Sequence, residues 1–539
     1  MRWRAVLAGA LLVLLLSQIA AWHLRVLPHP AGDPAAMPLP CLSYGPFRIP
    51  GTSPFDPQLI VPVAQIEADL QRMRELTTCV RTYGVDHGLD RVPEIAARLG
   101  MRVMLGAWID ADERANRRQI ATAVDLARRH PGVVDMLIVG NEVLLRGELS
   151  PQAMAGLLAD AREVSPVPVA YADVWEFWRR HAHILASAVD VASIHVLPYW
   201  EDHPIALGTA VPHVLQIHDE MRRVLAPLPV FIGETGWPAA GRMRGAARPG
   251  PPEQTLFMRE ILARAHEQAI PMNLIEAFDQ PWKQRLEGRA GGAWGVFNWQ
   301  GEQRVRLAGE VSSLPSVRHV LHSAWIAVMA ALIAWVLIRV SASSRADARS
   351  AGTLTQRGMN IGLMALVMRM AAPVIILAAL VAIHLQQVQT VAAWTLPWWA
   401  SMSVLAGTSI WFWLEVWALM RVAPQGTILR LARVAGFALM SWWAVFLLLD
   451  NRYRDLDWAL VAGPMLVFAM NRLLLPDPVP QRALCLLALI PGLCAVPIVM
   501  IEGLANRDAL ILCGCFALTL LAWLNPPRSG LLSAQGLQQ

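Results

Sequence analysis

Between Cys41 and Phe278 short apolar runs alternate with helical stretches, and no other feature restricts the fold as much. The runs at 41–46, 79–84, 102–109, 135–141, 168–174, 190–197, 229–234 and 272–278 read as strands buried on both faces. Helical stretches such as Gln65–Leu76, Arg117–Arg129 and Gln254–Glu267 lie between them. Eight strands with intervening helices predict an α/β fold, a (β/α)8 TIM barrel closed by parallel pairing. A doubly wound open sheet is the alternative, but no Gly-rich phosphate loop follows the first strand.

Two of these strands end in a carboxylate. Phe231-Ile232-Gly233-Glu234 runs into the turn Thr235-Gly236-Trp237-Pro238, and Asp135-Met136-Leu137-Ile138-Val139-Gly140-Asn141 runs into Glu142. A carboxylate at the end of a buried strand is costly without partners. In a barrel the C-terminal strand ends form one face, so Glu142 on strand four and Glu234 on strand seven share a cleft. Tyr44, Arg81, Tyr83, Trp108, Asp173, Trp175, His195, Tyr199, Trp200, Glu276, Asp279, Trp282 and Lys283 collect at the same end. Paired carboxylates beside aromatic rings suit cleavage of a glycosidic bond, because the C–H face of a sugar stacks on an aromatic plane. Lys283 is the only lysine of the chain.

The rest of the chain is of another kind. Overall 55% of residues are hydrophobic and 16% charged, too apolar for a wholly soluble protein. Positive Met1-Arg2-Trp3-Arg4 followed by apolar Ala5 to Ala21 reads as an uncleaved membrane anchor, and 25–40 as a Pro- and Ala-rich linker. Seven apolar segments follow the barrel, at about 319–339, 359–384, 393–420, 429–449, 456–475, 482–502 and 508–524. The expected organisation is an anchor at 1–24, a barrel domain at 41–310, an all-α multi-span transmembrane bundle at 318–525 and a tail at 526–539. Arg2, Arg4, Arg345, Arg349, Arg357, Arg421, Arg430, Arg472, Arg482 and Arg528 fall on one side of this topology, which places both termini in the cytoplasm and the barrel outside. The net charge of +5 follows from these loop arginines; no basic stripe with interleaved aromatics points to nucleic acid. Arg369 and Glu415 interrupt neighbouring spans at similar depth and are expected to pair.

Cys485, Cys494, Cys513 and Cys515 lie in apolar runs and read as packed small residues. Cys41 and Cys79 each open a strand and read as two buried free thiols, with a disulfide as the alternative if the barrel faces an oxidising compartment. No His/Cys cluster has metal-ligand spacing, so neither metal nor cofactor is expected.

Val80-Arg81-Thr82-Tyr83, Val139-Gly140-Asn141-Glu142, Leu197-Pro198-Tyr199, Gly233-Glu234-Thr235-Gly236-Trp237-Pro238 and Phe278-Asp279-Gln280-Pro281-Trp282-Lys283 together resemble glycoside hydrolase family 17. Within it, Tyr171-Ala172-Asp173-Val174-Trp175-Glu176-Phe177-Trp178 and Glu276-Ala277-Phe278-Asp279-Gln280 look most like the bacterial membrane-bound β-1,3-glucanosyltransferase branch that includes NdvC-like proteins. Plant members often carry an acidic residue where Gln280 stands. The resemblance implies a retaining enzyme acting on β-1,3-glucan, with Glu142 as acid/base and Glu234 as nucleophile. It implies that Tyr199 hydrogen-bonds Glu234 and that Asn141 holds the substrate 2-hydroxyl. Substrate contacts are expected from Tyr44, Arg81, Tyr83, Asn141, Asp173, Trp175, His195, Tyr199, Trp237, Glu276, Asp279, Trp282 and Lys283, and acceptor platforms from Trp175, Trp178 and Trp237. Expected partners are a β-glucan oligosaccharide or polysaccharide, the lipid bilayer of the bacterial inner membrane, and a glucan synthase. Transfer to a sugar and hydrolysis by water both remain open, as does a catalytically silent glycan-binding or export role.

Overall fold

The computed structural model describes residues 38–309, parts of 407–418 and most of 427–524. The expected anchor, linker and tail lie outside the described residues, as do the segments at 319–339 and 359–384, most of that at 393–420, and Arg369.

Eight parallel strands close into a barrel, each paired with the next and β1 with β8. They are β1 (Cys41–Ser43), β2 (Cys79–Arg81), β3 (Arg102–Ala107), β4 (Val134–Asn141), β5 (Val169–Val174), β6 (Val191–His195), β7 (Val230–Thr235) and β8 (Met272–Leu274). All eight fall where the apolar runs predict them, but most end earlier. Where a run ends earlier, its last residues leave the sheet and become part of the rim, as Tyr44, Tyr83 and Trp108 do.

The barrel helices are α1 (Val63–Arg74), α2 (Val92–Leu99), α3 (Glu113–Arg129), α4 (Pro151–Val164), α5 (Trp175–Leu185), α6 (Leu207–Val224), α7 (Pro251–Glu267) and α8 (Gln284–Gly291). Their ends are written in the sequence. Asp112 caps α3 by accepting from the Arg114 and Ala115 amides, and Ser150, followed by Pro151, caps α4 through the Ala153 amide. One continuous core fills the barrel and the layer beneath the helices, from Leu42, Val80 and Val103 to Phe257 and Leu274.

Cys41 and Cys79 form a disulfide, which corrects the expectation of free thiols. The register Leu42↔Val80 sets the two cysteines opposite each other at the start of adjacent strands, with Cα atoms 4.4 Å apart.

Among the described residues, α9 (Thr427–Leu449), α10 (Trp458–Leu474), α11 (Arg482–Glu502) and α12 (Arg507–Leu524) follow. They coincide with the last four apolar segments, and α9 packs on α11, α11 on α12 and α12 on α10. Among the described residues one stretch, Ile428–Leu449, is long and apolar enough to cross a membrane; Leu487–Glu502 is apolar but shorter. Glu415 is fully buried here, and its described cation is Arg433: Nε donates to Oε1 at 2.6 Å and Nη2 to Oε2 at 2.9 Å. Trp411 and Asn471 also donate to it, at 3.0 and 2.7 Å.

Candidate active site

The two carboxylates meet at the C-terminal rim because both strands deform there. The β4–β5 register shifts between Ile138 and Asn141, and the β6–β7 register between Ile194 and His195. Such bulges re-aim side chains. Gly140 (φ 85°) and Glu142 (φ 55°) both take left-handed backbone, the second an uncommon conformation for a residue with a Cβ. A Cβ on Gly140 would lie 2.9 Å from Met154 and Val143 side-chain carbons. The turn therefore needs glycine, and it turns Glu142 toward the axis. Across the barrel, a Cβ on Gly233 would sit 2.0 Å from Ser193 Oγ, so the backbone of β7 can only approach β6 with glycine before Glu234.

One oxygen of Glu142 and one of Glu234 lie within 4.8 Å of each other and of a His195 ring nitrogen. His195 Nδ1 is 2.9 Å from Glu142 Oε1 and 3.6 Å from Glu234 Oε2. Glu234 is nearly inaccessible, whereas Glu142 is partly open. Glu234 Oε1 is occupied: Arg81 Nη1 and the Tyr83 hydroxyl, the latter at 2.9 Å, both donate to it. Oε2 accepts no hydrogen bond from the described residues. Burial works to raise the Glu234 carboxyl, but the charges of His195, Arg81 and Lys283 outweigh it and hold the group below its ordinary value. Glu234 thus stays ionised with one oxygen bare.

Arg81 does a second thing. Its Nη2 donates to Asn141 Oδ1, which leaves the Asn141 Nδ2 without a partner among the described residues. Asp173 supports the turn from below. It accepts from the Tyr171 hydroxyl, from the Leu144 amide at 3.1 Å and from the Val174 amide at 2.8 Å, and burial pushes its carboxyl up to about 6. Lys283 donates to Glu276 at 2.9 Å. Burial pushes the Glu276 carboxyl up to about 7 against Lys283, while Glu276, Glu287 and Glu234 together hold the Lys283 ammonium charged above its usual range. The lone lysine is a compact cation set against a buried carboxylate.

Several expectations are corrected. Tyr199 does not reach Glu234; its buried hydroxyl donates to the Arg242 carbonyl at 2.7 Å, and Tyr83 takes the expected role. Tyr44 is buried and donates to Asp69 of α1 at 3.1 Å, away from the cleft. Trp237 and Trp178 are completely buried, donating to the Arg248 and Ser193 carbonyls, so neither ring is an open platform. Asp279 is buried against Arg304. Trp175 remains partly open, with its indole N–H on Glu201 at 3.2 Å, and Trp282 is half-buried, donating to Gln280 at 2.9 Å. Gln280 itself donates to the Gly45 carbonyl at 2.7 Å and so ties the β8 loop to β1. An acidic residue there would have no donor for that carbonyl.

Sequence reasoning missed three residues. Arg146 donates to the Ile109 and Asn141 carbonyls at 2.6 and 3.1 Å and lies 4.3 Å above the Trp108 ring. Arg304 neutralises Asp279. Glu287 is raised by burial and by the charges of Glu142 and Glu234, against Lys283. Its spacing of four from the lone Lys283 was the signal that could have found it.

A closed (β/α)8 barrel with Glu at the ends of strands four and seven is an architecture suited to glycoside hydrolysis. Residues 41–295 match the sequence model of the BtgE/BtgC glycoside hydrolase domain. The chain is 23% identical over 227 residues to the probable β-glucosidase btgE of Aspergillus fumigatus, covering 41% of this chain and 39% of that protein. It thus spans about two fifths of the length of that relative. It is 28% identical over 254 residues to a glucan 1,3-β-glucosidase of Arthroderma benhamiae, covering 43% and 81% of the two chains. Among solved structures it is similar to an active-site mutant of the Rhizomucor miehei β-1,3-glucanosyltransferase in complex with laminaritriose, at 23% identity and TM-score 0.44, covering 50% of this chain and 98% of that one.

Proposed function

We propose that the barrel cleaves β-1,3-glucosidic bonds with retention and passes the glucosyl unit to a second sugar. The observation that carries this reading is the bare, ionised Oε2 of Glu234 facing Glu142, with a carboxylate oxygen of each within 4.8 Å. Retaining enzymes hold their carboxyl groups about 5–5.5 Å apart, whereas inverting ones need about 6.5–9.5 Å for an intervening water.

In the first step Glu234 Oε2 attacks the anomeric carbon while Glu142 gives its proton to the departing oxygen. The glycosidic bond breaks and an ester to Glu234 forms. In the second step Glu142, now a carboxylate, takes a proton from the acceptor hydroxyl as that oxygen displaces Glu234. Asn141 Nδ2 would donate to the sugar 2-hydroxyl, and His195 would hold Glu142 in place between the steps. The similarity to a glucan 1,3-β-glucosidase supports the substrate class. Water in place of sugar gives hydrolysis by the same route.

We infer further that the protein is a multi-span protein of a bacterial inner membrane, with the barrel on the periplasmic side, working beside a glucan synthase. The Cys41–Cys79 disulfide supports an oxidising compartment. The α9–α10 and α11–α12 connections, both on the outer side by arginine distribution, make hydrogen bonds to barrel loops, which supports the same orientation. The test is product sizing with a defined laminari-oligosaccharide: products longer than the substrate are expected, and only shorter sugars at every concentration would make the enzyme a hydrolase.

A further inference from the structure

Two connections of the C-terminal helices lie on the rim of the barrel that carries the carboxylates. In the α9–α10 connection, Arg452 donates to the Trp200 carbonyl at 2.6 Å and to Asp202 at 2.8 Å. Asp455 accepts from the Arg289 amide at 3.2 Å and pairs with its guanidinium at 3.2 Å. In the α11–α12 connection, Asn506 donates to the Met243 carbonyl at 2.8 Å, and Glu502 pairs with Arg242. Arg242 and Glu502 are both nearly inaccessible, so two charges have left water to make this contact. The barrel residues involved all follow β6, β7 or β8, the loops nearest Glu234.

The contact seats Tyr453 on this rim. Its ring meets Trp200 edge-on at 5.6 Å, and Trp200 stacks on Trp294 at 6.5 Å. A Cβ on Gly288 would lie 2.3 Å from the Tyr453 carbonyl, so this seat exists only because residue 288 is glycine. Tyr453 is half-buried, and burial together with the charges of Glu287 and Glu142 raises its phenol. Gly288 directly follows Glu287 on α8, so Tyr453 seats against the segment that follows β8 on the same rim. Trp178 and Trp237 being core residues, Trp200 and Tyr453 supply an aromatic wall on this side.

We propose that Tyr453, a residue of the C-terminal helical region, is a sugar-contacting residue of the barrel's cleft and favours a sugar acceptor over water. This rests on the glucan reading above. A half-exposed ring on the rim that carries the acid/base covers the apolar face of an incoming pyranose and displaces the water that would otherwise compete for the glycosyl-enzyme. The helical region then completes the active site as well as holding it, and the cleft is closed on the β6–β8 side.

The test uses the full chain in detergent or nanodiscs, with laminari-oligosaccharides as donor and acceptor. Y453A is expected to raise the acceptor KM and lower the transfer-to-hydrolysis ratio, each about tenfold, whereas Y453F, which keeps the ring, stays within about twofold of wild type. G288V displaces the same loop from the barrel side without altering Tyr453 and should lower the ratio too; it carries the test if Y453A does not accumulate. Folded Y453A and G288V with unchanged ratio and acceptor KM would overturn the proposal, as would a fall in kcat and thermal stability at constant ratio. A wild-type chain inactive on every β-glucan would instead overturn the proposed function, and this inference with it.

Discussion

Glu234 in the barrel and Glu415 among the C-terminal helices are both buried carboxylates facing an arginine, yet they are built for opposite ends. Glu415 has both oxygens filled, by Arg433, Trp411 and Asn471. Nothing is left for a ligand, and the group joins helices that are distant in sequence. Glu234 has Oε1 filled and Oε2 bare, and Glu142, Glu276 and Glu287 crowd the same cleft. A carboxylate whose charge is fully answered serves the fold. One left half-answered beside other carboxylates costs stability and is ready to react.

The largest expected effect separates the two. E234Q should lower activity about 10⁴-fold, as loss of a nucleophile does, while E415Q leaves activity on short oligosaccharides within about twofold. Thermal unfolding in detergent should reverse the ranking. E415Q removes the charge answering Arg433 and sets an amide NH2 against donors already aimed at that oxygen, and should cost about 3 kcal/mol. E234Q keeps an oxygen for Arg81 and relieves repulsion with its neighbours, so it should cost less. Equal losses of stability would break the distinction.

Next in size is the disulfide. Cys41 and Cys79 are 38 residues apart, so the C41S/C79S double variant should lose about 3–4 kcal/mol of barrel stability with kcat at 25 °C unchanged. A fall in kcat without a fall in stability would mean that the strand starts tune the rim.

Y83F removes one of the two described donors to Glu234 Oε1 and should lower kcat/KM about tenfold, with the acid limb of the pH profile moving upward. An unmoved limb would leave Tyr83 a packing residue.

The smallest effect is a pH dependence. Glu276 is raised from 4.5 to about 7 in the folded protein, so the folded state holds more protons than the unfolded one between those values. That contribution is complete below about pH 4.5 and disappears as pH rises through 7. E276Q should flatten barrel stability across this window, measured by denaturant titration at several pH values; an unchanged slope would assign the dependence to Asp173 or Glu176.

Much of this was legible in the chain. Continuous apolar runs ending in polar residues placed all eight strands, because a parallel strand buried on both faces leaves no other pattern. The two catalytic candidates were legible for the same reason: a carboxylate at such a terminus has few structural uses. Which aromatics face the cleft was not. Trp237 directly follows the Glu234 turn and looks like a platform, but hydrogen bonding to the Arg248 carbonyl and packing on Phe257 turn it into the core. The Tyr83-for-Tyr199 exchange is of the same kind, since the Tyr199 hydroxyl is taken by the Arg242 carbonyl while Tyr83 reaches Glu234 from just beyond β2. Tyr453 lay beyond reach, because it is more than two hundred residues from Glu142 and arrives only through packing of the C-terminal helices on the barrel rim.

Retention by the Glu142–Glu234 pair is the central claim, and the stereochemistry of the first product tests it most directly. Proton NMR of the wild-type chain acting on a β-1,3-glucan oligosaccharide, followed from the first turnovers, should show the β-anomer appearing first and the α-anomer only later by mutarotation. An α-anomer formed first would mean direct displacement by water and would contradict the double displacement at Glu234.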